Sequence, residues 1–293
     1  MCTHLCILKI RGNGGKDNKK SKNKKKMTKQ IRLKTPITYY GGKQTMLKHI
    51  RPLIPEHDLY CEPFAGGAAV FFDKDPVKVN IINDLNGELI NFYRTVVTDT
   101  EALRNEVSKT LHCRNQHQHA WYIYNNPDYF SNVQRAWAVF ILSKLGFAGQ
   151  LSSSFGFDKS EGRHPRKIRC AKEIFTDELK TLLEHSTIEC DCAFKIIKRY
   201  DCPRAWHFID PPYVGSDMGH YSGMFNEQSL IELLELCAIL QGKFMLTMYP
   251  NSIIQEYADK HNWTIHKVDR QISACKSTSR RRQEEWMICN YTI

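Results

Sequence analysis

The sequence lacks any hydrophobic run that approaches the ~20 apolar residues of a membrane-spanning helix. The apolar start at residues 1–10 is too short for a signal-peptide core, and basic residues follow it rather than precede it. A cysteine framework is also absent: the eleven cysteines are scattered, and Cys190, Cys192 and Cys202 form the only close group. These absences exclude a membrane span and a disulfide miniprotein. They predict a cytoplasmic protein with isolated, buried thiols.

Most of the chain lacks an excess of either positive or negative charge. The formal net charge is +11, and residues 9–34 hold twelve lysines and arginines and one aspartate, which accounts for all of it. The rest of the chain is therefore neutral. Residues 11–34 are rich in Lys, Asn and Gly and have almost nothing to bury, so residues 1–34 are predicted to be a disordered basic tail. We expect the native protein to start at Met27; the alternative is a basic arm that grips phosphates.

A G-x-G-x-x-G dinucleotide fingerprint is missing as well, although strand and helix patterns alternate along the chain. Apolar runs predict strands at residues 58–61, 77–82, 205–209, 243–249, 263–268 and 286–290. Amphipathic patterns predict helices at residues 87–97, 133–145 and 230–240. With 293 residues and 42% hydrophobic content, this alternation predicts an α/β sheet protein.

Residues 100–187 have a different composition. They begin with Gln/His/Asn-rich sequence that contains His112, His117 and His119. A Gly/Ser/Phe loop and a basic stretch follow the helix at 133–145. We interpret this segment as a second domain inserted into a sheet domain formed by residues 35–99 and 188–293. The three histidines have no acidic or thiol partner at suitable spacing, which predicts solvated surface side chains and no metal site.

The strongest chemical signal is Asp210-Pro-Pro-Tyr213, directly after the strand at 205–209. Ligands of open parallel sheets bind beyond the carboxyl ends of the strands. Since Pro211 and Pro212 have no N–H, the turn is stiff, and the Asp210 carboxylate and the Pro211 carbonyl can accept from one amino group. Such a pair suits the poorly nucleophilic amino group of an extruded nucleobase, with Tyr213 as a flat platform. The alternative is an ordinary turn.

Three further motifs precede this turn. Glu62-Pro-Phe-Ala-Gly-Gly67 follows the first strand, and its paired glycines allow the backbone to approach a nucleotide-like ligand. Asp84 ends the second strand, where it either accepts from ribose hydroxyls or caps the next helix. Tyr39-Tyr-Gly-Gly-Lys43 comes before the first strand, and Lys43 either pairs with a carboxylate of the site or is solvated.

The chain resembles the Dam-type DNA adenine-N6 methyltransferases, because it carries four of their motifs in the right order along the chain: Tyr39-Tyr-Gly-Gly-Lys43, Glu62-Pro-Phe-Ala-Gly-Gly67, Asn83-Asp84 and Asp210-Pro-Pro-Tyr213. The likeness runs from about residue 35 to residue 291, and the terminal Glu285-Trp-Met-Ile-Cys-Asn-Tyr291 also fits. It implies a class I, Rossmann-like methyltransferase fold: an α/β protein with a mostly parallel seven-stranded sheet and a target-recognition, DNA-binding insertion at 100–187. It implies S-adenosylmethionine as methyl donor and double-stranded DNA as substrate. No membrane and no obligate protein partner are implied, and a cognate restriction enzyme is left open.

The resemblance also assigns residues by motif matching. The catalytic turn is Asp210, Pro211, Pro212 and Tyr213. The donor site is formed by Tyr39, Lys43, Glu62, Phe64, Ala65, Gly66, Gly67, Asp84 and Asp210. Asp191 is matched to an Asp–aromatic pair beside the donor adenine. No metal and no cysteine nucleophile are required.

Two basic clusters are candidates for DNA contact. The first lies within residues 155–172, whose glycines allow a hairpin, and consists of Arg163, Arg166, Lys167 and Arg169. These side chains suit phosphates or guanine edges. The second precedes the last strand and consists of Lys276, Arg280 and Arg281. For both clusters the alternative is a solvated charged loop. The first cluster does not reproduce the hairpin of GATC-specific members, so no target sequence is predicted.

Other functions remain to be weighed. One is an amino-methyltransferase that acts on RNA or protein, against which the upstream Tyr-Gly-Gly-Lys and the basic insertion argue. Another is a catalytically inactive DNA-binding protein of the same fold, against which the intact Asp-Pro-Pro-Tyr argues. A nicotinamide-dependent oxidoreductase is weakly supported because the dinucleotide fingerprint is missing.

Overall fold

The computed structural model describes residues 32–157, 159, 162–214, 225–271 and 282–292. Residues 1–31 of the predicted basic tail lie outside this part of the chain, as do Lys276, Arg280 and Arg281. Within the described part, no helix is both long enough and apolar enough to cross a membrane.

Seven strands of the described chain form one sheet in the order β3-β2-β1-β4-β5-β7-β6. Their bounds are β1 (Leu59–Glu62), β2 (Val79–Asn83), β3 (Thr187–Glu189), β4 (Ala205–Ile209), β5 (Lys243–Met248), β6 (Thr264–Gln271) and β7 (Arg282–Cys289). The first five strands are mutually parallel, and β7 runs antiparallel to both β5 and β6. The predicted mostly parallel, seven-stranded α/β sheet is confirmed. Only the three-residue β3 was not predicted.

The helices of the described chain are α1 (Leu47–Ile50), α2 (Ala69–Asp73), α3 (Gly87–Thr98), α4 (Thr100–Ser108), α5 (Arg114–Asn125), α6 (Asn132–Leu145), α7 (Arg163–Ala171), α8 (Asp177–Glu184), α9 (Ala193–Tyr200), α10 (Glu227–Ala238) and α11 (Ser252–His261). The predicted helices correspond to α3, α6 and α10. The starts of α3 and α6 are fixed by side-chain caps from Asn86 and Ser131, the latter in a capping box with Gln134.

The hairpin expected within residues 155–172 is wrong, because α7 occupies most of the segment. Ile168 and Ala171 are buried along one side of this helix, whereas Arg166 and Arg169 are exposed. Spacings of three and four residues between like side chains give one apolar stripe and one charged face. The glycines that suggested a hairpin lie before the helix.

Both faces of the sheet are covered, as a parallel sheet requires. Successive side chains of a strand point to opposite faces. In β5, Met245 joins one hydrophobic cluster, and its neighbours Phe244 and Leu246 join another. The first cluster includes side chains of α2, α3 and α6, and the second includes side chains of α10 and α11.

The helices between residues 100 and 187 share the first of these clusters with the sheet. Leu103 of α4, Phe140 of α6 and Phe175 before α8 are all part of it. Helix α6 is buried along most of its length, and it packs against α3, α4 and α5. The described chain from Arg32 onward accordingly forms one compact unit.

The order in which the chain adds strands to the sheet reverses between β1 and β4, which are neighbours near its centre. From β1 the chain proceeds through β2 and β3 to one edge, and from β4 it proceeds through β5 towards the other. In the register of the central pair, Cys61 lies opposite His207. The segments that follow β1 and β4 therefore leave the sheet side by side. Such a switch point is where ligands of open α/β sheets bind.

Candidate active site

Asp210 directly follows β4 at the switch point. Nζ of Lys43 lies 2.6 Å from its carboxylate, and the Thr247 hydroxyl of β5 donates to its Oδ1 at 2.6 Å. Burial raises the pKa of Asp210, and the ion pair with Lys43 and the hydrogen bond from Thr247 oppose that rise. The side chain is 17% exposed. The carboxylate is thus fixed in position and still reachable.

A second carboxylate, that of Glu285 in β7, lies behind the first and is fully buried. The Tyr213 hydroxyl donates to its Oε1 at 2.7 Å, and Nζ of Lys43 lies 3.7 Å from the same oxygen. Nε of Arg270 lies 2.7 Å from Oε2, without the alignment of a hydrogen bond. Lys43, Asp210, Arg270 and Glu285 form a charge-balanced cluster beneath the turn.

No sequence motif indicated Thr247, Arg270 or the role of Glu285. A signal was present for Glu285, because it is a charged residue next to the apolar run that ends β7. An unexplained charge in a central strand indicates a buried ionic partner.

The Pro-Pro-Tyr turn forms a wall of the site. Pro211 is buried, and Tyr213 is 7% exposed. Nζ of Lys43 lies 4.9 Å from the centroid of the Tyr213 ring, and Tyr249 packs against it edge to face at 4.5 Å. The hydroxyl of Tyr213 holds the turn to Glu285, so this ring connects the turn to the buried cluster. That the Tyr213 ring stacks on the target base stays a prediction.

Lys43 reaches this cluster because its motif turns sharply. Gly41 has φ +76°, and a Cβ on Gly42 would lie 2.9 Å from the carbonyl oxygen of Tyr39. Lys43 follows in a short 3₁₀ helix, and its Nζ also donates to the Gly41 carbonyl at 3.0 Å. With 4% exposure it is buried. Lys43 therefore pairs with a carboxylate, and the solvated alternative is wrong.

The loop after β1 is tied down at Gly66. Its N–H donates to Oδ2 of Asp84 at 2.8 Å, and its carbonyl accepts from the Tyr93 hydroxyl at 2.7 Å. Gly66 has φ +48°, and a Cβ there would lie 2.9 Å from the ring of Tyr39. Both the backbone conformation and the contact with Tyr39 require glycine. The first two motifs thus pack directly against each other.

Asp84 directly follows β2 and is buried. Its Oδ1 accepts from the N–H of Asn86 at 2.9 Å, and its Oδ2 accepts from Gly66. Burial raises the pKa of Asp84, and these backbone donors oppose the rise. The cap of α3 is Asn86, so the alternative reading of Asp84 as the helix cap is wrong. Its contact with a ribose stays a prediction.

Glu62 anchors the same loop from below. Its Oε2 accepts from the Tyr60 hydroxyl at 2.7 Å and from the N–H of Phe71 at 3.1 Å. Glu62 is 2% exposed, and burial raises its pKa to about 8. This carboxyl group holds the loop against α2. Further along the loop, half-buried Phe64 packs edge to face against Phe225.

Asp191 is linked to the loop through Asn83, the first residue of the Asn83-Asp84 motif. The Asn83 amide donates to the carbonyls of Pro63 and Asp191 and accepts from the N–H of Asp191. The Asp191 carboxylate accepts from the N–H of Cys192 and ion-pairs with Lys195 and Arg199. The structure places Asp191 beside the loop, with its carboxylate already engaged.

The four predicted DNA contacts of the first basic cluster all lie exposed on α7: Arg163, Arg166, Lys167 and Arg169. Partial burial lowers the pKa of Lys167. The second cluster, Lys276, Arg280 and Arg281, lies outside the described residues, as noted above.

Two predictions about isolated residues need correction. His117 is buried at 5% exposure rather than solvated, because it lies on the inner side of α5 with Ala120 and Ile123. Of the eight described cysteines only three are buried, and Cys170, Cys190 and Cys192 are exposed. Among the described residues, no three His, Cys, Asp or Glu side chains cluster in a way that could hold a metal ion.

Comparison with known proteins agrees with this geometry. The profile of a family described as D12 class N6 adenine-specific DNA methyltransferase matches residues 39–274. The chain belongs to this family. The match contains all four motifs, from Tyr39 to Tyr213. The predicted resemblance is confirmed, and so is the enzyme class, an adenine-specific DNA methyltransferase.

Two relatives of this methyltransferase match most of its length, and a third matches a shorter part. It is 27% identical to the Type II methyltransferase M1.LlaDCHI of Lactococcus lactis subsp. cremoris, over 89% of this chain and 97% of that protein. It is 25% identical to the Type II methyltransferase M.CviBI of Paramecium bursaria Chlorella virus NC1A, over 80% of this chain and 93% of the relative. A DNA adenine methylase of Vibrio cholerae is 26% identical, over 60% of this chain and 64% of that protein.

Proposed function

We propose that this methyltransferase transfers a methyl group from S-adenosylmethionine to N6 of an adenine extruded from double-stranded DNA. The observation that carries the proposal is the Asp210 carboxylate, which is ion-paired yet partly exposed, next to the Pro211 carbonyl at the switch point of the sheet. A protein that had kept only the fold would have no need of a buried cation held against this carboxylate.

The residues around the switch point fit the proposed donor. S-Adenosylmethionine, when bound, supplies the methyl group. Its sulfonium is cationic, and the Asp210 carboxylate would complement that charge. The backbone at Phe64–Gly67 would hold the methionine part, in a loop that contacts Tyr39 and is anchored by Glu62. Lys43 would line the site next to Asp210. Asp84 would accept from the ribose, and Asp191 would mark the adenine end.

The chemistry assigned to the turn concerns the amino group of the target base. Its lone pair is delocalised into the ring, so the nitrogen attacks the methyl carbon only as that delocalisation is lost. The Asp210 carboxylate and the Pro211 carbonyl would accept from its two hydrogens and stabilise the positive charge that develops. As the N–C bond forms, the donor's S–C bond would break to leave a neutral thioether, and the nitrogen would pass one proton to solvent by way of the Asp210 carboxylate. Lys43 and Thr247 keep the Asp210 carboxylate oriented and favour its ionised form.

DNA binding is assigned to the segment 100–187 as a target-recognition insertion. The α7 residues Arg163, Arg166, Lys167 and Arg169 would contact the phosphates, and we retain Lys276, Arg280 and Arg281 as further candidates. Phosphate contacts set the register of a protein on the duplex but do not read its sequence. We place this activity in the cytoplasm, and a cognate restriction enzyme is a candidate partner.

The test is the variant Asp210→Ala, measured by transfer of labelled methyl groups to duplex DNA. Removing a preorganised group of this kind lowers kcat by roughly 10²–10³-fold. Asp259→Ala, which changes an exposed aspartate of α11, is the matched control, with thermal unfolding as the check on the fold. Near-normal transfer by Asp210→Ala would overturn the proposed mechanism.

The same assay separates the competing functions. Duplex DNA, RNA and protein are each offered as acceptor to the wild-type enzyme. Methylation of RNA or protein in preference to DNA would favour the amino-methyltransferase alternative. Binding of DNA without binding of S-adenosylmethionine, measured by calorimetry, would favour the inactive DNA-binding protein.

A further inference from the structure

A cavity lies on the surface of the segment 100–187, away from the residues of the candidate active site. Its volume is 350 Å³, and its lining comes from α5 and from the loop before α7. The lining residues are Arg114, His117, Gln118 and Trp121 of α5, and residues 152–155 of the loop. None of them is acidic, and none of them was assigned a function above.

The composition of α5 sets it apart from α7. Helix α5 reads Arg-Asn-Gln-His-Gln-His-Ala-Trp-Tyr-Ile-Tyr-Asn, with no acidic residue and one arginine. Its exposed side carries Arg114, Gln118 and Trp121, and Trp121 is 47% exposed. Arginine pairs bidentately with guanine, glutamine with adenine, and an aromatic ring stacks on any base. The helix thus presents groups that recognise base edges rather than phosphates.

Arg114 is held in an orientation that suits such recognition. Its guanidinium lies over the ring of Phe155 at 4.8 Å from the centroid, and 5.8 Å from that of Phe157. A stacked guanidinium keeps its in-plane N–H groups available for a bidentate contact. Phe155 in turn packs against His112 and His117.

His117 supplies a second observation that points to a ligand. It lines the cavity and is 5% exposed, and its Nε2 has no hydrogen-bond partner in the part of the chain that the structure describes. The His117 ring forms a hydrogen bond with the backbone of Ser153, and burial lowers the pKa of His117. A neutral ring that donates from Nδ1 leaves Nε2 as an acceptor. Buried polar groups rarely remain unsatisfied, so a donor from a ligand is expected here.

We propose that this cavity takes a base of the target DNA and that Arg114, Gln118 and Trp121 determine the sequence that is methylated. The inference rests on the proposed function and deepens it. It divides the DNA contacts between two helices: α7 binds the phosphates, and α5 with residues 152–155 reads a base. The exocyclic amino group of an adenine or cytosine is the donor that the lone pair of His117 Nε2 would meet.

The test compares sequence preference rather than total activity. Methylation-sensitive sequencing of DNA from cells that express the wild-type protein defines its target, and a library of duplexes with single base changes gives relative kcat/KM values. In Arg114→Ala and Gln118→Ala, kcat/KM for the target is expected to fall ~10–100-fold, the loss of one bidentate base contact. For duplexes changed at the base position that the side chain contacts, kcat/KM should not fall, so the variant should discriminate less among bases at that position. Gln228→Ala, an exposed glutamine of α10, should keep the wild-type preference.

An unchanged preference in both α5 variants would overturn the inference, even if their activity were low. The proposed function fails separately, if the wild-type protein methylates no adenine. In that case the preference is measured by fluorescence anisotropy with duplexes of randomised sequence. Equal loss of binding to all sequences by Arg114→Ala and Gln118→Ala would then overturn the assignment of a base-reading cavity, and selective loss would support it.

Discussion

Polar residues are used differently in two regions of the molecule. One is the rim of the sheet, meaning the cluster of Lys43, Asp210 and Glu285, and the other is the exposed side of the segment 100–187. At the rim, Lys43, Asp210 and Glu285 are buried or nearly so, and each has partners within the protein. On α5, Arg114, Gln118 and Trp121 are exposed, and they line a cavity with the unpartnered Nε2 of His117. Chemistry requires groups that are fixed before the substrate arrives, whereas recognition requires groups that the substrate completes. The variants below test this contrast, from the largest expected effect to the smallest.

The largest effect is expected when the buried cluster loses its cation. Lys43→Met leaves the carboxylates of Asp210 and Glu285 facing each other with Arg270 alone. Breaking a buried ion pair lowers the free energy of unfolding by ~3–5 kcal/mol. Burial already raises the pKa of Asp210, and without Lys43 that pKa should rise further above its unfolded value. The loss of stability should therefore be smallest below pH 4 and grow as the pH rises.

Urea unfolding at several pH values measures this loss, with Lys48→Met, an exposed lysine of α1, as the control. If Lys43→Met were as stable as Lys48→Met at neutral pH, the ion pairs of Lys43 with Asp210 and Glu285 would not stabilise the fold.

A smaller effect is expected at Glu62, which supports the rim without a cationic partner in hydrogen-bonding contact. Burial raises the pKa of Glu62 from 4.5 to about 8, so the folded protein favours the neutral carboxyl group. The stability that this neutral group contributes is fully present below pH 4.5 and is lost as the pH rises to about 8. The loss is up to ~1.4 kcal/mol per pH unit. Glu62→Gln stays neutral and keeps an acceptor for Tyr60 and Phe71. Relative to wild type, its free energy of unfolding should rise by roughly 2–3 kcal/mol between pH 5 and pH 7.5.

Denaturant unfolding at the two pH values measures this difference. Glu256→Gln, an exposed glutamate of α11, should show no such trend. A difference between Glu62→Gln and wild type that does not change with pH would mean that Glu62 is ionised in the folded protein throughout.

The smallest effect is expected on α7, where each exposed arginine acts alone. Arg166→Ala should weaken binding of duplex DNA by a similar factor for all sequences and reduce the slope of log K against log salt by ~1. Anisotropy titrations at several salt concentrations measure the slope, and Lys198→Ala on α9 is the control. A change of sequence preference in Arg166→Ala would erase the distinction between α7 and α5.

The sequence predicted the sheet well because the buried strands are apolar runs with clear ends. It predicted that Asp210 and Lys43 belong to one site, since both lie in short motifs with recognisable neighbours. It could not show that Glu285 lies behind Asp210, because that depends on the antiparallel insertion of β7 between β5 and β6. Strand order at this edge is a property of the tertiary fold, which no local pattern reports.

The segment 100–187 was less predictable for a different reason. The spacing of Ile168 and Ala171 was present in the sequence, but the basic residues and glycines around it favoured a loop. His117 was interpreted as solvated because its neighbours in the sequence are polar, and only the orientation of α5 makes it an inner residue. Polar helices are hard to orient from sequence, because both of their sides contain hydrogen-bonding groups.

The ion pair between Lys43 and Asp210 joins residues 167 positions apart, and Glu285, 72 residues after Tyr213, completes the surroundings of both. Such a cluster can assemble only after nearly all of the chain has left the ribosome and the distant segments have met. A nascent or truncated chain would hold the glycine loop and the basic helix without a working centre. The cluster therefore requires that β7 has been synthesised and has joined the sheet.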